Sequence, residues 1–225
     1  AGDSYQVNLT HQLAVSGKGS PRALFGALVH RQQCRYPIFI QDPHQTILSL
    51  SPELFFELDN DHIVCRPMKG TRRRFLDPTK DEAARTELSG SNKDRAENLM
   101  IVDLLRNDIS QNCKNDSVRV PKLFEIESFP NVHHLVSTVT GELEKKKSIV
   151  DLLRDSFPGG SITGAPKKRS MEIIDELEPV RRGVYCGSMG YISSNDNMDL
   201  NIAIRTVTAS NAKLHIWGGG GITND

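Results

Sequence analysis

The sequence has no surplus of positive charge. Lysine and arginine together number 28, as do aspartate and glutamate, so the formal net charge of the 225 residues is zero. A nucleic-acid-binding surface needs an extended basic patch. The basic run at residues 72–74 is followed closely by Asp77 and Asp81, so it does not extend into such a patch. The charge therefore argues against a nucleic-acid partner.

Paired cysteines, membrane-length apolar runs and leader signals are also missing. The four cysteines are scattered along the chain, at Cys34, Cys65, Cys113 and Cys186. Without a C-x-x-C pair they form neither a zinc-site pattern nor a dense disulfide framework, and this usage is typical of reduced thiols. The longest apolar run is far short of a membrane span, and the N-terminus has no signal-peptide pattern. We therefore expect a soluble cytoplasmic protein with no membrane partner.

Short strand-like segments dominate the chain. Apolar runs between Pro, Asp, Asn and Ser predict strands at residues 36–40, 45–50, 54–58, 62–66, 115–120, 136–143, 183–193, 200–208 and 213–217. Helical periodicity predicts helices at residues 21–30, 91–108, 148–156 and 165–177. Strands in succession, with helices in no strict βαβ alternation, favour an α+β fold of packed antiparallel sheets with outer helices.

The helix predicted at residues 91–108 has two carboxylates in its first turns. Ser91 can cap this helix, and Asp94 occupies the matching position of a capping box. Asp94 and Glu97 are i, i+3 neighbours on a face that continues into aliphatic residues. Two interpretations stay open. The carboxylates are either solvated and favoured by the helix dipole, or they form a site for Mg²⁺ or another hard cation.

A lysine and a glutamate follow predicted strands at positions that suit acid–base or covalent chemistry. Lys69 lies between Pro67 and a predicted turn at residues 70–71. A partly desolvated lysine can lose its proton and act as a nucleophile or base, whereas most lysines on turns are surface groups. Glu53 lies beside aromatic residues, where burial would favour the protonated carboxyl of a general acid. Its alternative is an exposed glutamate at a strand end.

Two glycine-rich segments predict close approach of a ligand to the backbone. Residues 159–164 run into a predicted helix with Pro166 in its first turn, an arrangement that offers backbone N–H groups to an anion. The segment is no Walker A loop, so a carboxylate is as plausible a ligand as a phosphate, and a purely structural turn is the alternative. Four glycines at residues 218–221 end a predicted strand, where small residues let a ligand contact the backbone.

Aromatic, imidazole and guanidinium groups complete the set of candidates. Either of the adjacent His133 and His134 could be an acid or base, although a single histidine more often fills a hydrogen-bonding position. Tyr185 and Arg205 lie on predicted strands. The apolar residues before Arg205 predict a buried strand, and an arginine there needs a carboxylate partner.

Taken in order, these motifs resemble the chorismate-utilising enzymes. That family includes anthranilate synthase component I, isochorismate and salicylate synthases, and aminodeoxychorismate synthase component I. The resemblance covers essentially the whole chain and rests on Ser51-Pro52-Glu53, Pro67-Met68-Lys69-Gly70-Thr71, residues 93–108, Gly164-Ala165-Pro166-Lys167 and Ile204-Arg205-Thr206.

The lysine at position 69 indicates which branch of the family the chain is most similar to. Lys69 marks the aminodeoxychorismate synthases, whereas anthranilate synthases typically carry alanine there. The resemblance thus implies an enzyme that converts chorismate and ammonia to 4-amino-4-deoxychorismate, the precursor of p-aminobenzoate and folate. Anthranilate synthase component I and a non-catalytic chorismate-binding remnant are the alternatives.

The resemblance also implies roles for individual residues. Lys69 is the implied nucleophile, Glu53 the acid–base group and His134 a supporting active-site residue. Mg²⁺ is the implied cofactor, bound by Glu97 with Asp94 nearby. The implied substrate contacts are Gly70, Thr71, Thr163, Tyr185, Arg205, Gly219, Gly220 and Gly221. The implied partner is a glutamine amidotransferase subunit that supplies ammonia.

The sequence departs from the family pattern in two respects. Arg73 stands where the family usually has proline, which leaves the local loop shape open. Family members also continue past the glycine run, into a segment with a second Mg²⁺-binding glutamate, and have a longer N-terminal part. We therefore expect residues 1–225 to form a chorismate-binding catalytic domain that is incomplete at both ends, with a weak metal site.

Overall fold

The structure, a computed structural model, describes residues 2–223, and the chain forms two compact units. The first unit comprises the residues up to Glu53, Pro158–Gly190 and the residues from Leu200 onward. The second unit comprises Leu54–Phe157 and Tyr191–Asp199. The predicted domain at 1–225 also includes Ala1, Asn224 and Asp225, which lie outside the described residues.

Antiparallel strands and helices alternate irregularly, which confirms the predicted α+β class. The strands are β1 (Gln6–Ser16), β2 (Tyr36–Gln41), β3 (Thr46–Ser51), β4 (Leu54–Asp59), β5 (His62–Arg66), β6 (Met68–Arg73), β7 (Arg119–Ser128), β8 (Val132–Glu142), β9 (Gly164–Ala165), β10 (Ser188–Ile192), β11 (Met198–Ile202), β12 (Thr206–Ser210) and β13 (Lys213–Thr223). The helices are α1 (Pro21–Gln32), α2 (Pro78–Gly90), α3 (Asn92–Ser110), α4 (Ile149–Ser156), α5 (Gly160–Thr163) and α6 (Lys167–Leu177). Within residues 2–223, none of the helices has the length and apolar character needed to cross a bilayer.

The first unit contains a six-stranded sheet in the order β2-β3-β12-β13-β1-β9. Every residue of β3 is buried, as expected for a strand that lies inside the sheet between β2 and β12. Strands β1 and β13 pair along their whole length, from Gln6 opposite Thr223 to Ser16 opposite Lys213. The strand predicted to end at residue 217 therefore continues through the glycine run.

The second unit contains a sheet in which β5 lies between β4 and β8, and β8 also pairs with β6 and β7. Helix α3 packs against β8 and β6. Its buried residues recur at helical spacing, and Ile101 and Ile109 are fully enclosed. Phe56 and Leu135, from β4 and β8, are also fully buried in this unit. The sheet and α3 thus form the core of the second unit, and the unit's candidate residues lie on β6, β8 and α3.

Several predicted elements need correction. Residues 68–73 form strand β6, whereas the sequence predicted a turn at residues 70–71. The predicted strand at 183–193 begins only at Ser188, because Gly183 and Cys186 have φ of 60° and 65°. A strand cannot continue through left-handed residues. Helix α6 begins at Lys167 rather than residue 165, because Gly164 and Ala165 pair with β1 as strand β9.

A buried ion pair fastens three segments of the first unit. Arg182 donates from Nε to Glu178 Oε2 at 2.9 Å, from Nη1 to the Ile162 carbonyl at 2.7 Å and from Nη2 to the Asn8 carbonyl at 2.6 Å. Glu178 Oε1 accepts from the Thr10 backbone N–H at 2.7 Å. Burial alone would raise the pKa of Glu178, but the hydrogen bonds from Arg182 and Thr10 outweigh it and lower that pKa. Glu178 is therefore ionised and fully partnered at neutral pH.

Replacement of Arg182 by alanine is expected to lower the free energy of unfolding by about 3–5 kcal/mol, because it leaves a buried carboxylate without its cation. Arg169→Ala, which removes exposed ion pairs on α6, is expected to cost much less, because solvent screens those pairs. Because folding lowers the pKa of Glu178, its contribution is complete above the unfolded-state pKa and is lost as pH falls through the folded one. In urea unfolding, the difference in free energy of unfolding between the wild-type protein and Arg182→Ala should therefore shrink in acid. An equal loss of that free energy in Arg182→Ala and Arg169→Ala would contradict this account.

Candidate functional site

A β-bulge in β6 presents Lys69. Met68 lies opposite Val136 and Thr71 opposite His134, so β6 advances three residues where β8 advances two. Bulges of this kind redirect a side chain and are common beside active sites. Gly70, inside the bulge, has φ of 86°, a conformation that suits glycine. The half-buried Lys69 is therefore placed by the register of β6 against β8, not by a turn.

One side of the bulge is fixed by the buried His134. Its Nδ1 lies 2.9 Å from the hydroxyl oxygen of Thr71, directly opposite on β6. His133 serves a different network, because successive side chains of a strand point to opposite faces. Its ring contacts Ser128 Oγ at 2.8 Å and Asp81 Oδ1 at 3.1 Å. These contacts favour His134 as the functional histidine and His133 as a structural one.

The other side of the bulge contacts the beginning of α3. Ser91 caps this helix by accepting a 3.2 Å hydrogen bond from the Asp94 backbone N–H, as the sequence predicted. The carboxylate of Asp94 does not complete the capping box. It accepts instead from Arg72 Nη2 at 3.0 Å, and Arg72 belongs to β6. In a capping box the Asp94 carboxylate would accept from the backbone N–H of Ser91. Here it pairs with the Arg72 guanidinium of β6 instead.

Glu97 is the better placed of the two carboxylates to receive a cation. Its side chain is 15% exposed, and its Oε1 lies 4.0 Å from the ammonium of Lys93, whose side chain is 64% exposed. No group of three or more His, Cys, Asp or Glu side chains within residues 2–223 is arranged to hold a metal. Mg²⁺ commonly takes one or two protein carboxylates and keeps several waters. Glu97 therefore fits as a single protein ligand to Mg²⁺.

The glycine run of the first unit has two different faces. A β-carbon on Gly219 would lie 2.1 Å from the Leu9 carbonyl oxygen, and one on Gly221 would lie 2.1 Å from Gln6 Nε2. Around Gly220 nothing lies within 4 Å of such an atom. Close packing against β1 thus explains Gly219 and Gly221, whereas Gly220 offers an open stretch of backbone to a ligand.

Tyr185 lies in the turn before β10 and not on a strand. Its ring stacks on Trp217, with the ring centroids 5.6 Å apart and the ring planes at 11°. Burial and the neighbouring Cys186 raise the pKa of Tyr185. Its hydroxyl therefore stays protonated and can donate to a carboxylate. The stack also places Tyr185 beside the start of the glycine run.

Arg205 lies in the bend between β11 and β12, where the sequence predicted a buried strand. The residue is exposed and has φ of 49°. Its carbonyl accepts from the Leu50 backbone N–H at 3.1 Å, which anchors the bend to β3. The side chain is therefore at the surface of the bend and not buried on a strand, and an anionic ligand can approach it.

Glu53 is buried in the short link that follows β3, as the general-acid interpretation requires. Its backbone carbonyl accepts from the Ile202 N–H at 3.0 Å, and its own N–H donates to Ser51 Oγ at 3.2 Å. Thr163 is also buried, but its hydroxyl donates to the Gly159 carbonyl at 2.9 Å. That bond holds the glycine-rich loop together and favours a structural role for Thr163.

The structure divides the predicted site residues between the units. The second unit brings together Lys69, Gly70, Thr71, Asp94, Glu97 and His134. The first unit holds Glu53, Thr163, Tyr185, Arg205, Gly219, Gly220 and Gly221.

Two residues have contacts that the sequence did not predict. Arg72 belongs to the basic run at residues 72–74, and its pairing with Asp94 connects the strand of Lys69 to α3. Gln6 is 1% exposed, and neither polar atom of its side-chain amide has a hydrogen-bond partner among residues 2–223. A buried amide without partners is costly, so Gln6 is a candidate ligand contact. In the sequence it is only one polar residue of an ordinary strand.

The family model described as chorismate binding enzyme matches residues 1–225, and the chain belongs to this family. The chain is 52% identical to aminodeoxychorismate synthase component 1 of Salmonella typhimurium over 225 residues, which is all of this chain and 50% of that protein. It is 41% identical to anthranilate synthase component 1 of Pseudomonas aeruginosa, covering all of this chain and 46% of that protein. Its fold matches the crystal structure of anthranilate synthase component I from Streptococcus pneumoniae with a TM-score of 0.91 and 35% identity, over all of this chain and 49% of that one.

These comparisons confirm the family and the fold that the motifs predicted. The chain spans about half the length of the curated relatives it matches. The names of those relatives describe whole proteins, and the roles of individual residues stay predictions.

Proposed function

We propose that this protein converts chorismate and ammonia to 4-amino-4-deoxychorismate. The observation that supports the proposal best is the bulge that presents Lys69 beside the Thr71–His134 pair. Lysine at this position distinguishes the aminodeoxychorismate synthase branch, and the Salmonella relative of that name is more similar to the chain than the Pseudomonas anthranilate synthase.

In the proposed reaction Lys69 is the covalent catalyst. The neutral Nζ forms a bond to C2 of chorismate, the two conjugated ring double bonds shift, and the C4 hydroxyl takes a proton and leaves as water. Ammonia then forms a bond to C4, the two double bonds shift back, and the C2–N bond to Lys69 breaks. Two displacements of this kind replace one difficult substitution at C4. The lysine is regenerated, and the net change is exchange of hydroxyl for amine.

Glu53 serves the proton transfers in this proposal, and His134 has a supporting role. The buried Glu53 donates a proton to the departing hydroxyl and takes one from the incoming ammonia. His134 orients Thr71 through their hydrogen bond and so fixes the strand that carries the nucleophile. Gly70 and Thr71 are proposed as substrate contacts beside the nucleophile.

The contacts proposed for the two substrate carboxylates follow the family resemblance. Arg205, the protonated Tyr185 hydroxyl and the open backbone at Gly220 are suited to bind one carboxylate. A Mg²⁺ ion on Glu97 would supply positive charge for the other. We also propose a glutamine amidotransferase partner as the ammonia source, in keeping with the component 1 name of the relatives.

The proposal is tested by incubating the full-length protein with chorismate, an ammonium salt and Mg²⁺, followed by chromatography and mass spectrometry. We expect 4-amino-4-deoxychorismate as the main product. Anthranilate as the main product would instead support an anthranilate synthase. Binding of chorismate without any turnover would support the non-catalytic alternative.

A further inference from the structure

We infer that Asp94 is a positioning residue for Lys69, held by Arg72, and that the metal is bound without it. The inference rests on the proposed function and concerns the second unit alone. Arg72 lies three residues after Lys69 on β6 and donates from Nη2 to Asp94 Oδ2 at 3.0 Å. A divalent cation on Asp94 would face the positive guanidinium at close range, which disfavours its binding.

The pair has the properties of a fixed contact. The side chains of Arg72 and Asp94 are only 28% and 15% exposed, so solvent screens their attraction less than that of a surface pair. A second carboxylate, Glu87 on α2, accepts from Arg72 Nε at 2.8 Å. The guanidinium is therefore held from two sides, by the end of α2 and the start of α3.

Asp94 also contacts the bulge directly. A β-carbon on Gly70 would lie 3.0 Å from both Cβ and Cγ of Asp94, and 2.9 Å from Leu88 Cδ1. The residue next to Lys69 thus packs against the side chain of Asp94. Because Arg72 holds this side chain by its carboxylate, the ion pair limits where the bulge and its lysine can lie.

The half-formed capping box agrees with this assignment. Ser91 Oγ receives the Asp94 N–H, but the Ser91 N–H donates to the Leu88 carbonyl at 3.3 Å. The Asp94 carboxylate is committed to β6 instead of to its own helix. Glu97, almost one turn further along α3, has no such arginine contact within residues 2–223 and is left for the metal.

Asp94→Asn tests whether Asp94 positions Lys69 or binds the metal. Asparagine keeps the packing against Gly70 and removes the charge that holds Arg72. In full-length protein saturated with Mg²⁺ and given chorismate without ammonia, we expect the rate of the Lys69 adduct to fall at least about tenfold, since small misplacements of a reacting group are costly. Calorimetric titration with MgCl₂ alone should show an affinity within about twofold of wild type. Glu97→Gln, the matched control, should lower the Mg²⁺ affinity at least about tenfold.

Arg72→Gln removes the other partner of the Arg72–Asp94 pair. It replaces Asp94→Asn as the test if that variant does not fold. It should slow the adduct as Asp94→Asn does and leave Mg²⁺ affinity intact. Weakened Mg²⁺ binding in Asp94→Asn to the level of Glu97→Gln, or an unchanged adduct rate in either variant, would overturn the inference. Absence of an adduct in the wild-type protein would instead refute the covalent role of Lys69 in the proposed function.

Discussion

Replacement of Lys69 by alanine is expected to lower the rate of 4-amino-4-deoxychorismate formation by about a thousandfold or more, a typical loss for a covalent catalyst. Without the amine, C2 is not attacked, and the C4 hydroxyl must leave without that assistance. Chorismate affinity should change little, because its carboxylates are assigned to Arg205, Tyr185 and Mg²⁺. Product chromatography and a chorismate-binding titration measure the two quantities on the same variant.

Three further measurements make this prediction specific. Wild-type protein given chorismate without ammonia should gain the mass of chorismate less one water on Lys69. Ammonia can reach the unoccupied C2 in Lys69→Ala, so traces of anthranilate are expected. Lys122→Ala, which removes an exposed lysine from β7 in the same unit, should be fully active. A near-normal rate of 4-amino-4-deoxychorismate formation by Lys69→Ala would show that Lys69 is only an electrostatic contact.

The parts of the fold that local rules determine were predicted well. Helix α3 begins after Ser91, as the cap indicated, and its buried face follows the helical spacing. Strand β5 occupies the predicted residues 62–66. Caps and periodicity involve neighbours within a few residues, so one sequence is enough to recognise them.

The features that failed depend on partners far along the chain. The bulge at Lys69 exists only in the register of β6 against β8. The bend at Arg205 is held by the hydrogen bond from Leu50, and the apolar run before Arg205 does not predict its positive φ. The commitment of Asp94 to Arg72 is likewise a long-range choice between two available partners. In each case local propensity was outweighed by tertiary contacts.

The site's residue types were easier to predict than their roles. The glycine run suggested a ligand surface, but the structure explains Gly219 by its distance from β1 and leaves Gly220 open. A sequence does not show which glycine faces a neighbouring strand until the pairing of β13 with β1 is known. The two positions can therefore be separated by substitution.

Gly219→Ala is expected to lower the free energy of unfolding by about 3 kcal/mol or more, because the added carbon collides with backbone that cannot rotate away. It would lie 2.1 Å from the Leu9 carbonyl oxygen and 2.7 Å from Thr10 Cα. The two longest-paired strands of the first unit must separate to admit it. Urea unfolding monitored by circular dichroism measures the loss.

Gly220→Ala is the matched control for stability and the test for binding. Its added methyl meets nothing within 4 Å, so the free energy of unfolding should change by no more than about 0.5 kcal/mol. If the substrate contacts this backbone, the same methyl should weaken chorismate binding at least about tenfold, a cost within the usual range for overpacking. Fluorescence of Trp217, the single tryptophan of the chain, reports binding three residues away. Unchanged affinity in Gly220→Ala would remove the glycine run from the substrate site, whereas a loss confined to binding would show that this face of β13 contacts the ligand.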